Sequence, residues 1–290
     1  MGINTFPAAS AGVTQKVQEF LSTGTFTAPS NCTTVEIFLV GAGGGGGWGQ
    51  TNASSNSGGL GGGGGGGQVI QRKITVTPGQ AYTVTIGAGG SGASSFVNGG
   101  DGGDSSFGSL ATALGGAGGA SINSSYATTV PTRTKGTGAG APTSSGTNYY
   151  SFAGAGGGAG GNSFVLTNDA NGYGNHIGSK IYIGLVGAGS GTYGASGNQT
   201  SCMAGIGIDG YGTGGSGGVH AADSSWNSSY GPLPVAFIYG STSNVSVAGT
   251  AGANNTGNGG GGGAALSSGS VIAASGAAGG SGYCRVTYWS

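Results

Sequence analysis

The residues that could support catalysis are few and widely separated in this sequence. His176 and His220 are the only histidines, and both lie in polar segments. Each could act as a general base, although a histidine in a surface loop is the commoner interpretation. The aspartates Asp169, Asp209 and Asp223 each stand alone. We therefore predict no catalytic residues and a protein that is not an enzyme.

The candidate metal ligands are equally sparse. Asp101 and Asp104 lie three residues apart among glycines and could offer oxygen ligands to Ca²⁺, but capping and turn roles are more typical of aspartate in such a setting. Cys32, Cys202 and Cys284 form no CxxC pair, so they predict buried thiols rather than a metal site. A disulfide between Cys32 and Cys284 is left open. We predict no metal and no cofactor.

Glycine dominates the composition, and charge is almost absent. Of the 290 residues, 75 are glycine, which is about a quarter of the chain, whereas glycine usually makes up about 7 % of a protein. Seven lysines and arginines balance seven acids, and no basic stripe marks a nucleic-acid partner. No apolar run is long enough for membrane insertion. Residues 1–10 lack the features of a secretory signal, so we expect synthesis in a cytoplasm without export.

Both ends of the chain have the pattern of β-strands. In residues 33–40, Val35, Ile37 and Leu39 point to one face and Phe38 and Val40 to the other, which predicts a central strand of a covered sheet. The closing segment 283–289 predicts a strand that returns to this sheet.

A proline–glycine pair suggests a hairpin within residues 68–86. Segments 68–77 and 80–86 alternate on either side of Pro78-Gly79. Proline presets φ and glycine accepts a positive φ, so the two segments predict a β-hairpin. Residues 104–114 predict a smaller β-turn-β unit.

Glycine runs recur through the rest of the chain, and three interpretations compete. Flexible linkers are one, but so many separate linkers in one chain are unusual. Phosphate binding is another, because residues 41–46 fit a G-x-G-x-x-G string, but no helix follows to meet a phosphate. The third is packed polyglycine II helices, in which interior faces require glycine and outward thirds accept side chains. We favour the third.

These patterns predict an all-β fold with essentially no α-helix. It combines a small β-sandwich built from both chain ends with a bundle of packed polyglycine II helices that carry loop inserts. The predicted domains are residues 1–87 with 283–290 for the sandwich and assembly, and residues 88–282 for the glycine bundle.

Aromatic residues concentrate in the polar inserts between the glycine runs. Tyrosine and tryptophan beside serine, glycine and asparagine is the composition of antibody contact loops. Tyr211 belongs to the same set of insert aromatics, and local packing of the whole set is an equally open interpretation. The predicted receptor contacts are Tyr126, Tyr149, Tyr150, Tyr173, Tyr193, Trp226 and Tyr230.

Several segments resemble the glycine-rich domain of phage tail and fibre proteins. They are Phe26-Thr27-Ala28-Pro29, the strand end Val40-Gly41-Ala42-Gly43-Gly44, residues 76–90, residues 102–108 and the closing strand 282–289. The alternation of glycine motifs with unlike inserts is similar to the distal tail-fibre adhesins of T-even-type phages.

That resemblance implies a virion protein, made in the host cytoplasm, that presents loops to a bacterial surface receptor, either an outer-membrane protein or a glycan. It also implies contacts with other virion proteins and a homo-oligomer, with a trimer as one arrangement. The sandwich formed by both termini departs from the attachment domain of those adhesins. A purely structural fibre or capsid-decoration protein is therefore a second hypothesis, and an ice-binding polyglycine II protein is a third.

Overall fold

A computed structural model describes most of the two ends of the chain and parts of the middle. The described residues are 14–51, 55–123, 126–127, 207–215, 244–268 and 270–290, with strand fragments at 167–168, 174–175, 190–192, 201–203, 219–221 and 237–239. No residue in these ranges is helical, and none belongs to a helix that could cross a membrane. The all-β prediction is confirmed.

The described strands are short. In chain order they are β1 Gln15–Phe20, β2 Gly24–Thr27, β3 Thr34–Val40, β4 Gly49–Gln50, β5 Ser55–Leu60, β6 Val69–Thr75, β7 Ala81–Thr85, β8 Ser105–Phe107, β9 Ala111–Ala113, β10 Ile122–Asn123, β11 Tyr126–Ala127, β12 Thr167–Asn168, β13 Gly174–Asn175, β14 Ser190–Thr192, β15 Ser201–Met203, β16 Val219–Ala221, β17 Phe237–Tyr239, β18 Val245–Val247, β19 Ala264–Ser268, β20 Ala273–Ala274 and β21 Tyr283–Trp289.

Two four-stranded antiparallel sheets enclose one hydrophobic core and form a β-sandwich. The first sheet has the order β1-β21-β3-β6 and the second the order β2-β7-β8-β9. Val35, Ile37 and Leu39 of β3 are completely buried between them, which confirms the predicted inward face. The core residues are Phe20, Phe26, Ala28, Cys32, Val35, Ile37, Leu39, Ile74, Val76, Val84, Phe107, Ala111, Ala113, Cys284 and Val286.

The two ends of the described chain meet in the first sheet. Strand β21 lies between β1 and β3, with Cys284 opposite Phe20 on one side and opposite Leu39 on the other. Beyond the strands, Thr14 and Ser290 exchange two backbone hydrogen bonds of 3.1 Å. The prediction that the closing strand returns to the first sheet is confirmed.

The hairpin predicted at Pro78-Gly79 is wrong, although the turn itself is present. Gly79 has a φ of 75°, and the N–H of Gln80 donates to the carbonyl of Thr77 at 3.0 Å. However, β6 pairs with β3 in the first sheet and β7 pairs with β2 in the second. Alternation identifies the inward face of each strand but not its neighbour, so the two faces meet across the core rather than side by side.

The β-turn-β unit predicted at residues 104–114 is confirmed. Strands β8 and β9 form a hairpin, and β8 also pairs with β7 in the second sheet. Residues 105–113 therefore pack with strands from the start of the chain. The domain limits given above stay a prediction.

The glycine segments that leave the sandwich form an ordered hydrogen-bonded array, here named the glycine lattice. Its members are 41–47, 61–68, 88–93, 99–103, 114–120, 257–263 and 276–282. The N–H groups of residues 41–47 donate in turn to Gln68, Gly103, Gly280, Gly65, Gly100, Ala277 and Gly62. The partner segment changes at every residue and repeats at every third.

The other six segments close a ring around segment 41–47. Their order around it is 61–68, 114–120, 99–103, 88–93, 276–282 and 257–263, and each is hydrogen-bonded to the next. Segment 41–47 donates to three antiparallel neighbours, of which 61–68 is one. It accepts from the three parallel neighbours, as when Gly116 and Gly119 donate to Ala42 and Gly45. Backbone groups are thus paired without a strand ladder.

Glycine is required inside the lattice because neighbouring backbones touch. A Cβ on Gly44 would lie 2.1 Å from the Ala117 carbonyl oxygen, and a Cβ on Gly45 would lie 2.0 Å from that of Ser91. Alanine is accommodated at a few buried positions, namely Ala42, Ala93, Ala117 and Ala120, and other side chains occur mainly where a segment faces outward. In segment 88–94, Ala88, Ser91 and Ser94 are exposed, again at every third residue.

Candidate functional site

The lattice has two ends, and the one remote from the sandwich is here named the tip. Segment 41–47 leaves strand β3 at Val40 and reaches the tip at Trp48. Segment 88–93 runs parallel to it, because Gly90 and Ala93 donate to Gly43 and Gly46. The loop 94–98 that follows therefore lies at the tip, whereas Thr14 and Ser290 lie at the far end of the sandwich.

An apolar surface is fixed at the tip. The rings of Trp48 and Phe96 lie 6.4 Å apart at 55°, while Phe96 keeps 37 % and Val97 keeps 56 % of its surface exposed. Large exposed apolar residues that adjoin one another are typical of contact surfaces. The tip therefore exposes an aromatic ring beside a branched aliphatic side chain.

Ser121 holds this surface in place. Its hydroxyl accepts a hydrogen bond from the N–H of Trp48 at 2.8 Å and donates to the carbonyl of Val97. Ser121 itself is completely buried and directly follows lattice segment 114–120. The loop is thereby anchored to two lattice segments, so its apolar residues are presented with little conformational freedom to lose on binding.

Of the predicted receptor contacts, one lies in a described strand close to the tip. Tyr126 stands opposite Asn123 in strands β11 and β10, and β10 runs parallel to β4 immediately after Trp48. Nothing is described of its side chain. The remaining predicted contacts lie outside the described residues: Tyr149, Tyr150, Tyr173, Tyr193, Trp226 and Tyr230.

Phe96 and Val97 escaped the sequence prediction because their loop is short. Only five residues, 94–98, separate two glycine segments. The prediction rested on the composition of the long polar inserts, and so short a loop has too few residues for that pattern. One sequence feature could have identified them. An aromatic residue beside a β-branched residue in a short loop flanked by serine and asparagine is not part of a predicted strand, and this indicates an exposed apolar pair. Only the parallel course of segments 41–47 and 88–93 places them beside Trp48.

Tyr211 serves packing, as the alternative interpretation of the insert aromatics proposed. Its ring stacks on Tyr283 at 5.4 Å and meets Phe38 edge-on at 5.0 Å. Asp209 and Gly210 both have positive φ between the mutually bonded Ile208 and Tyr211, which is the geometry of a tight two-residue hairpin turn. This turn fixes segment 207–215 against the outer face of the first sheet.

The phenol of Tyr283, which stacks on Tyr211, is held in its neutral form by its surroundings. Burial raises the pKa of its phenol well above the ordinary value, and its hydrogen bond to Glu19 and the charge of that carboxylate raise the pKa further. The neutral phenol donates to the Glu19 carboxylate, so the pair joins β21 to β1 on the face that Tyr211 covers.

Asp101 and Asp104 bind backbone groups of the lattice. The Oδ1 atom of Asp104 accepts from the N–H of Gly115 at 2.8 Å, and that of Asp101 accepts from Gly118 at 2.9 Å. The two aspartates lie three residues apart, and so do the two glycines that donate to them. Each carboxylate therefore meets an N–H group of the antiparallel neighbouring segment. The capping role is confirmed, and the described residues contain no group of three or more potential metal ligands.

Replacing both carboxylates should loosen this edge of the lattice. Asp101→Ala/Asp104→Ala removes the acceptors of two hydrogen bonds to buried glycine N–H groups, and we expect a loss of about 1–3 kcal/mol for each in the free energy of unfolding. Asp101→Asn/Asp104→Asn keeps both Oδ1 acceptors and should lose less. Urea unfolding of the two variants beside the wild type measures the difference, and equal losses would contradict the capping role.

Cys32 and Cys284 are free thiols buried in the sandwich. Cys32 and Cys284 form no disulfide, which answers the question left open by the sequence. Burial raises the pKa of the Cys284 thiol to about 12, so this thiol stays protonated and unreactive at neutral pH. His220 is placed in β16 opposite Ile238 of β17, and His176 lies outside the described residues.

Comparison with known families gives one match. The model of a family described as a glycine-rich domain matches residues 19–289, which includes the glycine lattice and the sandwich except for residues 15–18 of β1. A search of curated proteins finds no match to this chain.

Proposed function

The chain belongs to the glycine-rich domain family, and from that premise we propose that it is a phage virion protein, a tail-fibre or tip adhesin that presents loops to a host-surface receptor. The observation that carries the proposal is the tip. An exposed apolar surface at Phe96 and Val97 is held by hydrogen bonds at the end of the lattice opposite to Thr14 and Ser290. Such a layout separates attachment at one end from contact at the other.

The scaffold in this proposal is a polyglycine II bundle. The three-residue repeat of hydrogen-bond partners supports it, because a polyproline-II-type helix has three residues per turn and pairs only with neighbours. At its rise of about 3.1 Å per residue, a seven-residue segment holds the tip about 20 Å from the sandwich. A dense backbone hydrogen-bond array then replaces a hydrophobic core in that part of the chain.

The receptor in this proposal is a bacterial outer-membrane protein or a glycan. Phe96 supplies a flat ring that could stack on a side chain or on the apolar face of a sugar, and Ser94, Ser95 and Asn98 flank it with polar groups. Rigid aromatics beside small polar residues give contact area at low entropic cost. Tyr126 and the other insert aromatics would extend this surface.

A double substitution at the tip tests the proposal. Phe96→Ser/Val97→Ser removes the apolar surface, and we expect particles that carry it to bind host cells roughly 10–30-fold more weakly, the loss of a binding hot spot. The measurement is the adsorption rate of wild-type and variant particles on the same host. The purified variant should keep the wild-type unfolding midpoint to within a few degrees, because both residues are exposed.

Leu110→Ser provides a matched control. Leu110 is as exposed as Phe96, at 37 %, but lies in the β8–β9 turn of the sandwich. Its replacement should leave adsorption unchanged. If the tip variant also adsorbs like the wild type, the tip is not the receptor contact.

A purely structural virion role is the second candidate. Exposed apolar residues also occur on the sandwich, at Val17, Leu21 and Trp289, which supports assembly contacts at that end. In this case the protein would locate along the fibre or capsid, and purified protein would bind no host cell.

Ice binding is a weaker candidate, supported by the outward residues of two neighbouring lattice segments. Segments 88–94 and 275–278 carry Ala88, Ser91, Ser275 and Ala278 outward in regular rows, spaced by about 9 Å along a threefold helix. An absence of thermal hysteresis in the purified protein would remove this candidate.

A further inference from the structure

We propose that strand β1 is an interface at which two copies of this chain pair edge to edge, joining their first sheets into one continuous antiparallel sheet. Among the described residues, β1 pairs on one side with β21 and with nothing on its other side. An edge strand presents a row of N–H and C=O groups that a second strand can satisfy. The proposal commits to a second copy as that strand.

The hydrogen bonds at the chain ends define which groups of β1 face outward. Thr14 and Ser290 exchange both of their backbone hydrogen bonds. In an antiparallel ladder the bonded pairs alternate with non-bonded pairs, so Lys16 and Gln18 also bond to β21. The N–H and C=O groups of Gln15, Val17 and Glu19 therefore point to the open edge.

A twofold axis at Val17 uses all of these outward groups. Val17 then faces Val17 of the second copy, and Gln15 faces Glu19 in both directions, so every outward N–H and C=O of the three residues finds a partner. Their side chains share one face of the sheet, because they alternate along the strand. The twofold symmetry is that of most homodimers.

The side-chain pairs in this register are complementary. The Gln15 amide can donate to the Glu19 carboxylate of the other copy, and Lys16 meets Gln18. Shifting the register toward the start of the strand places Lys16 against Lys16, and shifting it to the other end places Glu19 against Glu19. Like charges directly opposite each other are destabilising, so these two registers are disfavoured, and the register centred on Val17 is the one that pairs all three outward residues within β1.

Exposed apolar residues cluster at the same edge. Val17 is 53 % exposed and Leu21 59 %, and Trp289 lies opposite Gln15 on the adjoining strand. In contrast, the other edge strand of this sheet, β6, has Arg72 and Lys73 at its centre. If two copies paired through β6, the twofold register with the most backbone hydrogen bonds would place Arg72 against Arg72. The cationic centre protects β6 from pairing, whereas β1 has no such protection at its centre.

Cross-linking through Val17→Cys tests the interface. Directly bonded residues across an antiparallel pair have Cα atoms about 5.5 Å apart, within the range of a disulfide. Under oxidised glutathione, this variant should convert largely to a covalent dimer on non-reducing gels. Every chain in this experiment also carries Cys202→Ser, because Cys32 and Cys284 are buried and Cys202 is the third thiol of the sequence. In that background, Gln71→Cys, the comparable position on β6, and the chain with no added cysteine should remain monomeric on the same gels.

Sedimentation equilibrium supplies the second measurement. The wild type should have the mass of two chains, and Val17→Lys, which sets two cations against each other at the axis, should have the mass of one. Val17→Thr retains a β-branched side chain of similar size and should remain dimeric. A wild-type mass of one or three chains, or no cross-link at Val17→Cys, would overturn the proposal. Neither measurement depends on receptor binding.

Discussion

Replacing Gly44 by alanine is expected to prevent the glycine lattice from forming. The added Cβ would lie 2.1 Å from the carbonyl oxygen and 2.5 Å from the carbonyl carbon of Ala117. Both atoms belong to a backbone that is itself bonded to further segments, so neither can withdraw alone. Overpacking in an ordinary core costs about 1–3 kcal/mol, and here the loss should exceed about 3 kcal/mol.

The reason for so large an effect is the position of Gly44 at the centre of the ring. Its N–H donates to Gly65 and its carbonyl accepts from Gly260, both at 2.8 Å. Separating segments 41–47 and 114–120 to admit one methyl group would also strain these bonds on the other sides. A loss above 3 kcal/mol is a large share of the roughly 5–15 kcal/mol that stabilises a typical domain.

Ala278→Val is the matched control for Gly44→Ala. Ala278 is an exposed, outward residue of a lattice segment, so two added methyl groups should change the free energy of unfolding by less than about 0.5 kcal/mol. Soluble yield and thermal unfolding of both variants provide the measurement. If Gly44→Ala unfolds like the wild type, the close backbone contact is absent and the glycine segments are not tightly packed.

Phe107→Ala is expected to cost about 3–5 kcal/mol, because the side chain is large and completely buried. Phe107 lies at the centre of the sandwich core, stacked on Tyr82 at 5.3 Å and tilted against Phe26 at 5.8 Å. It belongs to β8, in the hairpin that the chain supplies between two lattice segments. Its loss therefore weakens the packing of β8 against the rest of the sandwich core.

Phe96→Ala is the control, because it removes the same side chain from a partly exposed position at the tip. The comparison shows how much of the loss in stability is due to burial. Because Phe96 is 37 % exposed, its replacement should cost about 1 kcal/mol or less. Chemical denaturation of Phe107→Ala, Phe96→Ala and wild type under identical conditions measures both losses. Equal losses would mean that Phe107 is not part of a close-packed core.

Local patterns in the sequence were sufficient for several elements of the fold. Alternation in Thr34–Val40 predicts both faces of β3, since successive side chains of any strand point to opposite sides. The Pro78-Gly79 turn and its positive φ follow from the residues themselves. The regular return of side chains at outward positions, such as Ala88 and Ser91, fits the three-residue period expected for packed glycine helices.

Strand partners could not be read in the same way. The strands beside Pro78-Gly79 alternate as a hairpin would, yet they lie in opposite sheets. Whether two adjacent strands pair or face each other depends on the apolar surface offered by distant segments. For β6 that segment is β3, and for β7 it is β2.

The residues of the candidate site also fall into those that the sequence predicted and those that only the tertiary structure identified. Tyr126 was predicted from composition and lies in a strand near the tip, whereas Phe96 and Val97 were not predicted. Their role depends on Trp48, which is distant in sequence and reaches them only because segments 41–47 and 88–93 run parallel.

Composition and pattern were sufficient to predict an all-β protein that carries almost no charge, and they favoured close packing of backbones in the glycine runs over linkers or phosphate binding. These properties follow from composition and from the period of side chains along each segment. The tertiary structure alone decided which segments neighbour one another in the ring, which sheet each strand joins and which apolar residues remain exposed at the tip. Runs of glycine are chemically alike, so their order in the lattice depends on where the intervening strands and turns direct them.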